Sequence, residues 1–104
     1  MHNVLGNHVT ITNKLETGTD LIVHCKSADD DLGVHVLHFD QLYGFSFGDT
    51  FFGITQFYCS FKWNNELKWF DIYISGRDEC ETCNWTIKQS GPCLSSNTCY
   101  EWNK

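Results

Sequence analysis

The chain has 104 residues, enough for one domain over 1–104 and too few for two. Seven basic residues face thirteen acidic ones, a net charge of −6 that repels phosphate and argues against nucleic acid and anionic membranes as partners. The high aromatic content and single proline exclude a disordered chain, and no apolar run reaches the roughly 18 residues that a membrane-spanning helix needs.

Along the chain the apolar residues recur with period two, the pattern of half-buried strands. Val9 and Ile11 alternate with Thr10 and Thr12. Leu21, Val23 and Cys25 alternate with Ile22, His24 and Lys26. Val34 and Val36 alternate with His35 and Leu37, and Phe45 and Phe47 flank Ser46. The longest case sets Thr55, Phe57, Cys59, Phe61 and Trp63 against Gln56, Tyr58, Ser60 and Lys62. Phe70, Ile72 and Ile74 then alternate with Asp71, Tyr73 and Ser75, and Cys83, Trp85 and Ile87 with Asn84, Thr86 and Lys88. Turn-rich pieces separate these runs at Glu16–Thr19, Ser27–Gly33, Gly48-Asp49, Asn64-Asn65, Gly76–Asp78 and Ser90–Pro92. The expected fold is all-β, an antiparallel β-sandwich of seven to eight strands, with Asn64-Asn65 at a hairpin tip.

Six cysteines in so short a chain predict a disulfide framework made in an oxidising compartment. Cys25, Cys59 and Cys83 share faces with apolar neighbours and are expected to point inward and cross-link the sandwich. Fifteen pairings are possible. A Cys93–Cys99 bridge across a short C-terminal loop is expected, with two more among Cys25, Cys59, Cys80 and Cys83. The chain opens Met1-His2-Asn3 without a basic start or an apolar run, so a secreted product is expected to have lost its signal segment already.

Other chemistries fit the sequence less well. Cys80, Cys83, Cys93 and Cys99 offer one Cys-x-x-Cys half-site, but the second spacing is too wide for a zinc site and two cysteines are left over. No βαβ unit accompanies Cys80–Cys83, which removes the setting of a thioredoxin-type redox motif. Asp29-Asp30-Asp31 lacks the spaced oxygen ligands of a calcium loop and reads as a solvated turn. No serine sits in a nucleophile-elbow pattern, and His35 and His38 point to opposite faces of one strand. No catalytic residue, metal or cofactor is therefore expected. Asn84-Trp85-Thr86 is an N-glycosylation sequon with Asn84 on an outer face. Tyr58, Trp69, Tyr73 and Trp102 are the aromatics expected to be exposed, with Tyr58 and Tyr73 sharing an outer face as a candidate sugar or wall-binding surface.

Several blocks in order resemble the plant self-incompatibility S-protein homologues. They are Val23-His24-Cys25-Lys26-Ser27 with Asp29–Gly33, Ser46-Phe47, Phe57–Trp63, Phe70–Tyr73 with Arg77-Asp78, Cys80 with Cys83–Ile87, Gly91-Pro92-Cys93, and Cys99–Asn103. The tail departs from the family pattern, with Glu101 where proline is more usual between Tyr100 and Trp102. The resemblance implies a small secreted plant protein with a β-sandwich fold, not an enzyme. It also implies a monomeric extracellular ligand for a protein receptor at a cell surface, as in stigma members that reject self pollen. Surface loops would then carry partner choice. The expected loops are Asn64–Lys68 (Asn64, Asn65, Glu66, Lys68), Gly76–Glu79 (Arg77, Asp78), Leu94–Asn97, and Asp29, Asp30 and Asp31. Arg77-Asp78 lies in a family block and has a structural ion pair as its other reading. The alternatives are a carbohydrate- or wall-binding module, a secreted defence protein and an enzyme inhibitor.

Overall fold

The computed structural model describes residues 7–48, 55–75, 77–78, 80–94 and 98–102. Within these, eight strands form: β1 (Asn7–Asn13), β2 (Leu21–Lys26), β3 (Asp31–Leu37), β4 (Leu42–Phe47), β5 (Gln56–Trp63), β6 (Glu66–Ile74), β7 (Thr82–Lys88) and β8 (Gly91–Leu94). They make two four-stranded sheets, ordered β4-β1-β7-β8 and β3-β2-β5-β6. The hairpins β2–β3, β5–β6 and β7–β8 stay within a sheet, and each remaining connection crosses to the other. The sandwich is antiparallel apart from one pair, since β1 runs parallel to β7 in the middle of the first sheet.

Alternation drives the packing. Val9 and Ile11 of β1, Leu21 and Val23 of β2, Phe57 and Phe61 of β5, and Trp85 and Ile87 of β7 all bury their side chains between the sheets. Each such burial is worth about 1.5–3 kcal/mol. Two irregularities break the simple pattern. Between His24 and Lys26 the β2–β3 register shifts at Gly33, whose φ of 82° only glycine adopts without strain. Leu37 is buried opposite Leu21, so His35 turns inward and stacks on Tyr43 at 3.9 Å between centroids. Val34 and Val36 consequently face solvent, contrary to the sequence pattern. A second bulge opposite Phe57 and Tyr58 lets β6 bury Ile72 and Tyr73 in succession. Tyr73 therefore lies inside, edge-on to Phe47 at 4.8 Å, and shares no outer face with Tyr58.

One buried polar residue holds a corner of the sandwich. Asn13 donates from Nδ2 to the carbonyls of Thr19 (2.8 Å) and Leu37 (2.9 Å) and accepts from the Leu15 amide (3.0 Å). It ties β1 to the following loop and to the end of β3. Such a fully bonded amide is stabilising, and costly once any partner is removed.

The disulfides are Cys25–Cys59, Cys80–Cys83 and Cys93–Cys99. None crosses between the sheets, contrary to the expected cross-link. Cys25 and Cys59 face each other on neighbouring strands β2 and β5. Cys80–Cys83 closes the start of β7, and Cys93–Cys99 fastens the tail to β8. Joining residues 34 apart, Cys25–Cys59 closes the longest loop.

The fastened tail completes the core. Tyr100 packs on Phe70 and Trp85, with centroids 5.5 and 5.7 Å away, and Trp102 on Phe61 and Trp63 at 5.2 and 5.7 Å. Glu101 points outward between them, so the tail is an extended segment with both rings turned in. Trp102 is therefore not an exposed aromatic; its Nε1 donates to the Gln89 carbonyl at 2.9 Å. Gly91 makes this approach possible: a Cβ there would lie 2.0 Å from the Tyr100 carbonyl oxygen.

Candidate functional site

The predicted contact loops fall at opposite ends of the sandwich. The turn after β2 and the pair Arg77-Asp78 after β6 lie at one end, and the β5–β6 turn at the other. The eight residues of β5 separate them by about 26 Å. Gly76, Glu79 and residues 95–97 lie outside the described residues, as does Asp49 of the predicted Gly48-Asp49 turn. The β5–β6 turn is shorter than the predicted Asn64–Lys68 loop. Only Asn64, with φ at 51°, and Asn65 make the turn, whereas Glu66 and Lys68 already belong to β6. Asn64, Asn65 and Glu66 are exposed, and Lys68 lies 3.7 Å from Glu66.

Arg77 and Asp78 are committed to the fold and do not form a free contact loop. Asp78 is buried and receives Arg77 Nε at 2.9 Å and Nη2 at 2.5 Å, a two-point pairing. Its Oδ2 also accepts the Ile74 amide at 2.9 Å. Arg77 Nη2 donates to the Asp71 carbonyl at 2.7 Å. The guanidinium carbon sits over the rings of Phe70, Tyr100 and Trp85 at 5.0, 5.2 and 5.6 Å. A planar cation that also donates to an edge carbonyl blocks that part of β6 from pairing with another strand.

At the same end, the aspartates divide their work. Ser27 Oγ accepts the amides of Asp30 (3.1 Å) and, at longer range, Asp29 (3.4 Å). Asp31 turns away, accepting the Gly33 amide at 3.0 Å and pairing with His24 Nε2 at 2.6 Å. Those two bonds, the Gly33 amide first, hold the Asp31 carboxyl below its ordinary 3.8. The three carboxylates do not converge, and among the described residues no three His, Cys, Asp or Glu side chains form a metal cluster. All six sulfurs are in disulfides. An open cleft of about 480 Å³ runs beside Asp29 and Asp30, floored by Phe47 and Phe57.

Four of the five histidines, His8, His24, His35 and His38, lie among the described residues. His38 Nδ1 pairs with Asp20 at 2.8 Å on the surface, and His35 is stacked inside. His8 Nδ1 lies 2.6 Å from Ser46 Oγ on a flat sheet face. Among the described residues no carboxylate bonds His8, so the pair lacks the orienting acid of a nucleophilic triad.

The two outer faces differ in chemistry. On the first sheet, Ser46, His8 and Thr82 form one cross-strand row, and Gly44, Thr10 and Asn84 the next. Asn84 is exposed there, its Oδ1 accepting the Thr10 hydroxyl at 2.6 Å. On the second sheet, Val36, Ile22, Lys62 and Leu67 form one row, Val34, His24, Ser60 and Trp69 the next, and Lys26, Tyr58 and Asp71 the third. Period-two reading placed Tyr58 and Trp69 outside; the valines joined them only through the bulge at Gly33.

Comparison with known proteins gives a consistent result. Residues 8–104 match the family model described as plant self-incompatibility protein S1. S-protein homolog 29 of Arabidopsis thaliana is 44% identical over 103 residues, covering 91% of this chain and 76% of that protein. S-protein homolog 5 of the same plant is 46% identical over 98 residues, covering 90% and 76%. Among solved structures, a self-incompatibility protein homologue from a family described as small, highly stable, secreted plant proteins superposes with a TM-score of 0.67. It is 15% identical and 98% of each chain is covered, a likeness of fold.

Proposed function

The chain belongs to the plant self-incompatibility protein S1 family, and on that premise we propose that it is a secreted extracellular signalling ligand. It acts by binding a protein receptor at a cell surface and performs no catalysis. The observation that carries this reading is the pairing of all six cysteines within one small β frame, a state suited to an oxidising compartment. The solved neighbour's description as secreted supports the same location. The frame is rigid, and contact residues stand on its surface. Asn64, Asn65 and Glu66 at one end, and Asp29 and Asp30 at the other, are exposed side chains placed to select a partner.

A secreted plant product would carry its glycan on Asn84. Asn84 is exposed on the outer face, its Oδ1 held by the Thr10 hydroxyl, while Trp85 beside it is fully buried. Intact mass before and after a plant-active N-glycan amidase tests this. A mass shift that vanishes in Asn84→Gln is expected, and an unshifted secreted product would remove the assignment.

The function itself is tested by binding. Labelled, oxidised protein should bind plant plasma-membrane vesicles saturably, and unlabelled protein should displace it. Reduced and alkylated protein should not bind. Absence of saturable binding, or retention of six free thiols by the plant-expressed protein, would sink the ligand reading.

A further inference from the structure

The three disulfides differ in where their sulfurs stand. Cys25, Cys59 and Cys83 belong to the buried apolar core, and Cys80 packs against it. Cys93 and Cys99 do neither. Leu94, opposite Trp85, turns to the core, so Cys93, opposite Thr86, lies on the outer face of the first sheet. Its partner Cys99 is the one cysteine of the six that the fold leaves exposed. Thiol–disulfide exchange needs a thiolate to reach one sulfur and the other sulfur to leave as a thiolate. Both sulfurs of Cys25–Cys59 are shut between the sheets. Attack on half-buried Cys80 would expel Cys83 as a charge into the apolar interior. Cys93–Cys99 can be reached at Cys99 and discharges on the outer face, which is where labile bridges stand.

This bridge is the covalent hold on residues 98–102. They meet β8 through a single β-bridge and pair with no other described strand. The Thr98 carbonyl accepts the Leu94 amide at 2.7 Å, the Tyr100 amide donates to the Pro92 carbonyl at 2.9 Å, and the Trp102 indole bonds Gln89. Beneath lie Phe61, Trp63, Phe70 and Trp85, which the Tyr100 and Trp102 rings cover. Trp85 is completely buried, and its Nε1–H has no acceptor among the described residues. An unmade bond of this kind weighs against the closed arrangement, and lifting Tyr100 opens that ring to water. A segment with so few backbone bonds opens locally, without unfolding the rest, once its tie is cut. We infer that Cys93–Cys99 is a redox-sensitive clasp: a dithiol opens it, residues 98–102 lift away, and the aromatic end of the core is uncovered while Cys25–Cys59 keeps β2 on β5. One thiolate of the dithiol attacks Cys99 Sγ, forms a mixed disulfide and expels the Cys93 thiolate. The second thiolate closes the reagent into a cyclic disulfide and releases Cys99. Two electrons pass from the dithiol to the bridge, and the dithiol's two protons reach the two cysteines through water. The inference concerns the molecule alone and stands apart from the ligand reading.

The test treats the oxidised protein with dithiothreitol at pH 7 without denaturant, quenches with acid, alkylates and maps the thiols. A species with two thiols, at Cys93 and Cys99, should form about tenfold faster than thiols appear at Cys80 and Cys83, and before any appear at Cys25 or Cys59. In that trapped species the Leu94 and Tyr100 amides should lose about tenfold in hydrogen-exchange protection while the β2 and β5 amides keep theirs. Tryptophan emission should shift to the red, and reoxidation of the untrapped species should reverse it. Cys93→Ser with Cys99→Ser should show the same open tail without reductant, which separates loss of the bridge from the bulk of the alkyl groups. Earlier opening of either other bridge would overturn the inference, and so would a tail that keeps its protection after Cys93–Cys99 is reduced. Protection lost throughout the chain would overturn it too, by making the bridge a staple of the whole fold. A disulfide-linked dimer after reoxidation would replace the single-chain clasp with an exchange of tails between two copies.

Discussion

Replacing Arg77 with alanine leaves the buried carboxylate of Asp78 with the Ile74 amide as its remaining donor among those described above. Removing one member of a buried pair costs about 3–5 kcal/mol. The Arg77 side chain is 26% exposed, so water tempers the loss and about 3 kcal/mol is expected. Losing the cation from the faces of Phe70, Trp85 and Tyr100 adds about 0.5–1 kcal/mol. The total, about 3–4 kcal/mol, is a large share of a stability of about 5–15 kcal/mol. Melting should fall by about 15–25 °C at this chain length. Urea unfolding followed by tryptophan fluorescence, with the disulfides intact, measures it. Arg77→Lys keeps the charge but loses the planar fork and the stacking, and should recover less than half the loss. Arg77→Ala with Asp78→Asn should be more stable than Arg77→Ala alone, because no charge is then left buried. A cost below about 1 kcal/mol for Arg77→Ala, the value of an exposed pair, would refute the structural assignment of Arg77 and return it to the contact surface.

The closed-loop lengths rank the disulfides. Removing Cys25–Cys59 (separation 34) should cost roughly 4 kcal/mol and Cys93–Cys99 (separation 6) roughly 2, and denaturant midpoints in the reverse order would contradict loop closure as the cause. Gly91→Ala should cost about 2–4 kcal/mol and shift tryptophan emission to the red, since the tail must leave Pro92 and Gln89; an unchanged melting temperature would mean that the tail is not seated. Asp31 should titrate below 3.8 by carbon-13 NMR. Its folded value being the lower one, its stabilising contribution is present above 3.8 and fades as pH falls through the lowered value. Asp31→Asn should flatten that part of the acid-unfolding curve, and a midpoint at or above 3.8 would remove the Gly33 and His24 bonds as its cause.

Much of the fold was legible because period two is a local property. Val9–Ile11, Leu21–Cys25, Phe57–Trp63 and Cys83–Ile87 each bury the alternating set that their sequence marks. The pattern misled at Val34 and Val36 and at Tyr73, where bulges decide which face is inward. A bulge arises from pairing with another strand, and the alternation within one strand carries no record of it. The Gly33 that permits the first bulge was visible only as a turn residue. The parallel β1–β7 pairing, the closure by Asn13 and the seat of Tyr100 and Trp102 depend on contacts between distant residues. A polar Asn13 in a threonine-rich strand reads as surface until its three partners are known. Of the site, the sequon and the exposed Tyr58 and Trp69 followed from alternation. The apolar face did not, since two of its members were assigned to the core. The Arg77-Asp78 pair was visible as adjacent charges, but its burial against three rings was not.

The allocation of strands to sheets also sets an order of events. Every strand of the second sheet, and the Cys25–Cys59 bridge inside it, lies between residues 21 and 74. The first sheet needs both the earliest strand and the last, with Val9 waiting for Cys83 and the aromatic tail arriving later still. Chains emerge from the ribosome amino end first, and distant pairings close slowly. As the chain emerges, the second sheet can therefore assemble and oxidise, and β1 can pair with β4, before β7 and β8 exist. The half of the molecule that carries Val34, Val36 and Trp69 is made and locked first, and part of its apolar underside stays uncovered until β7, β8 and the aromatic tail arrive. That interval exposes nascent chains to mispairing of Cys80 and Cys83 with either earlier cysteine, so a disulfide isomerase would act late, after the Cys25–Cys59 bridge has formed.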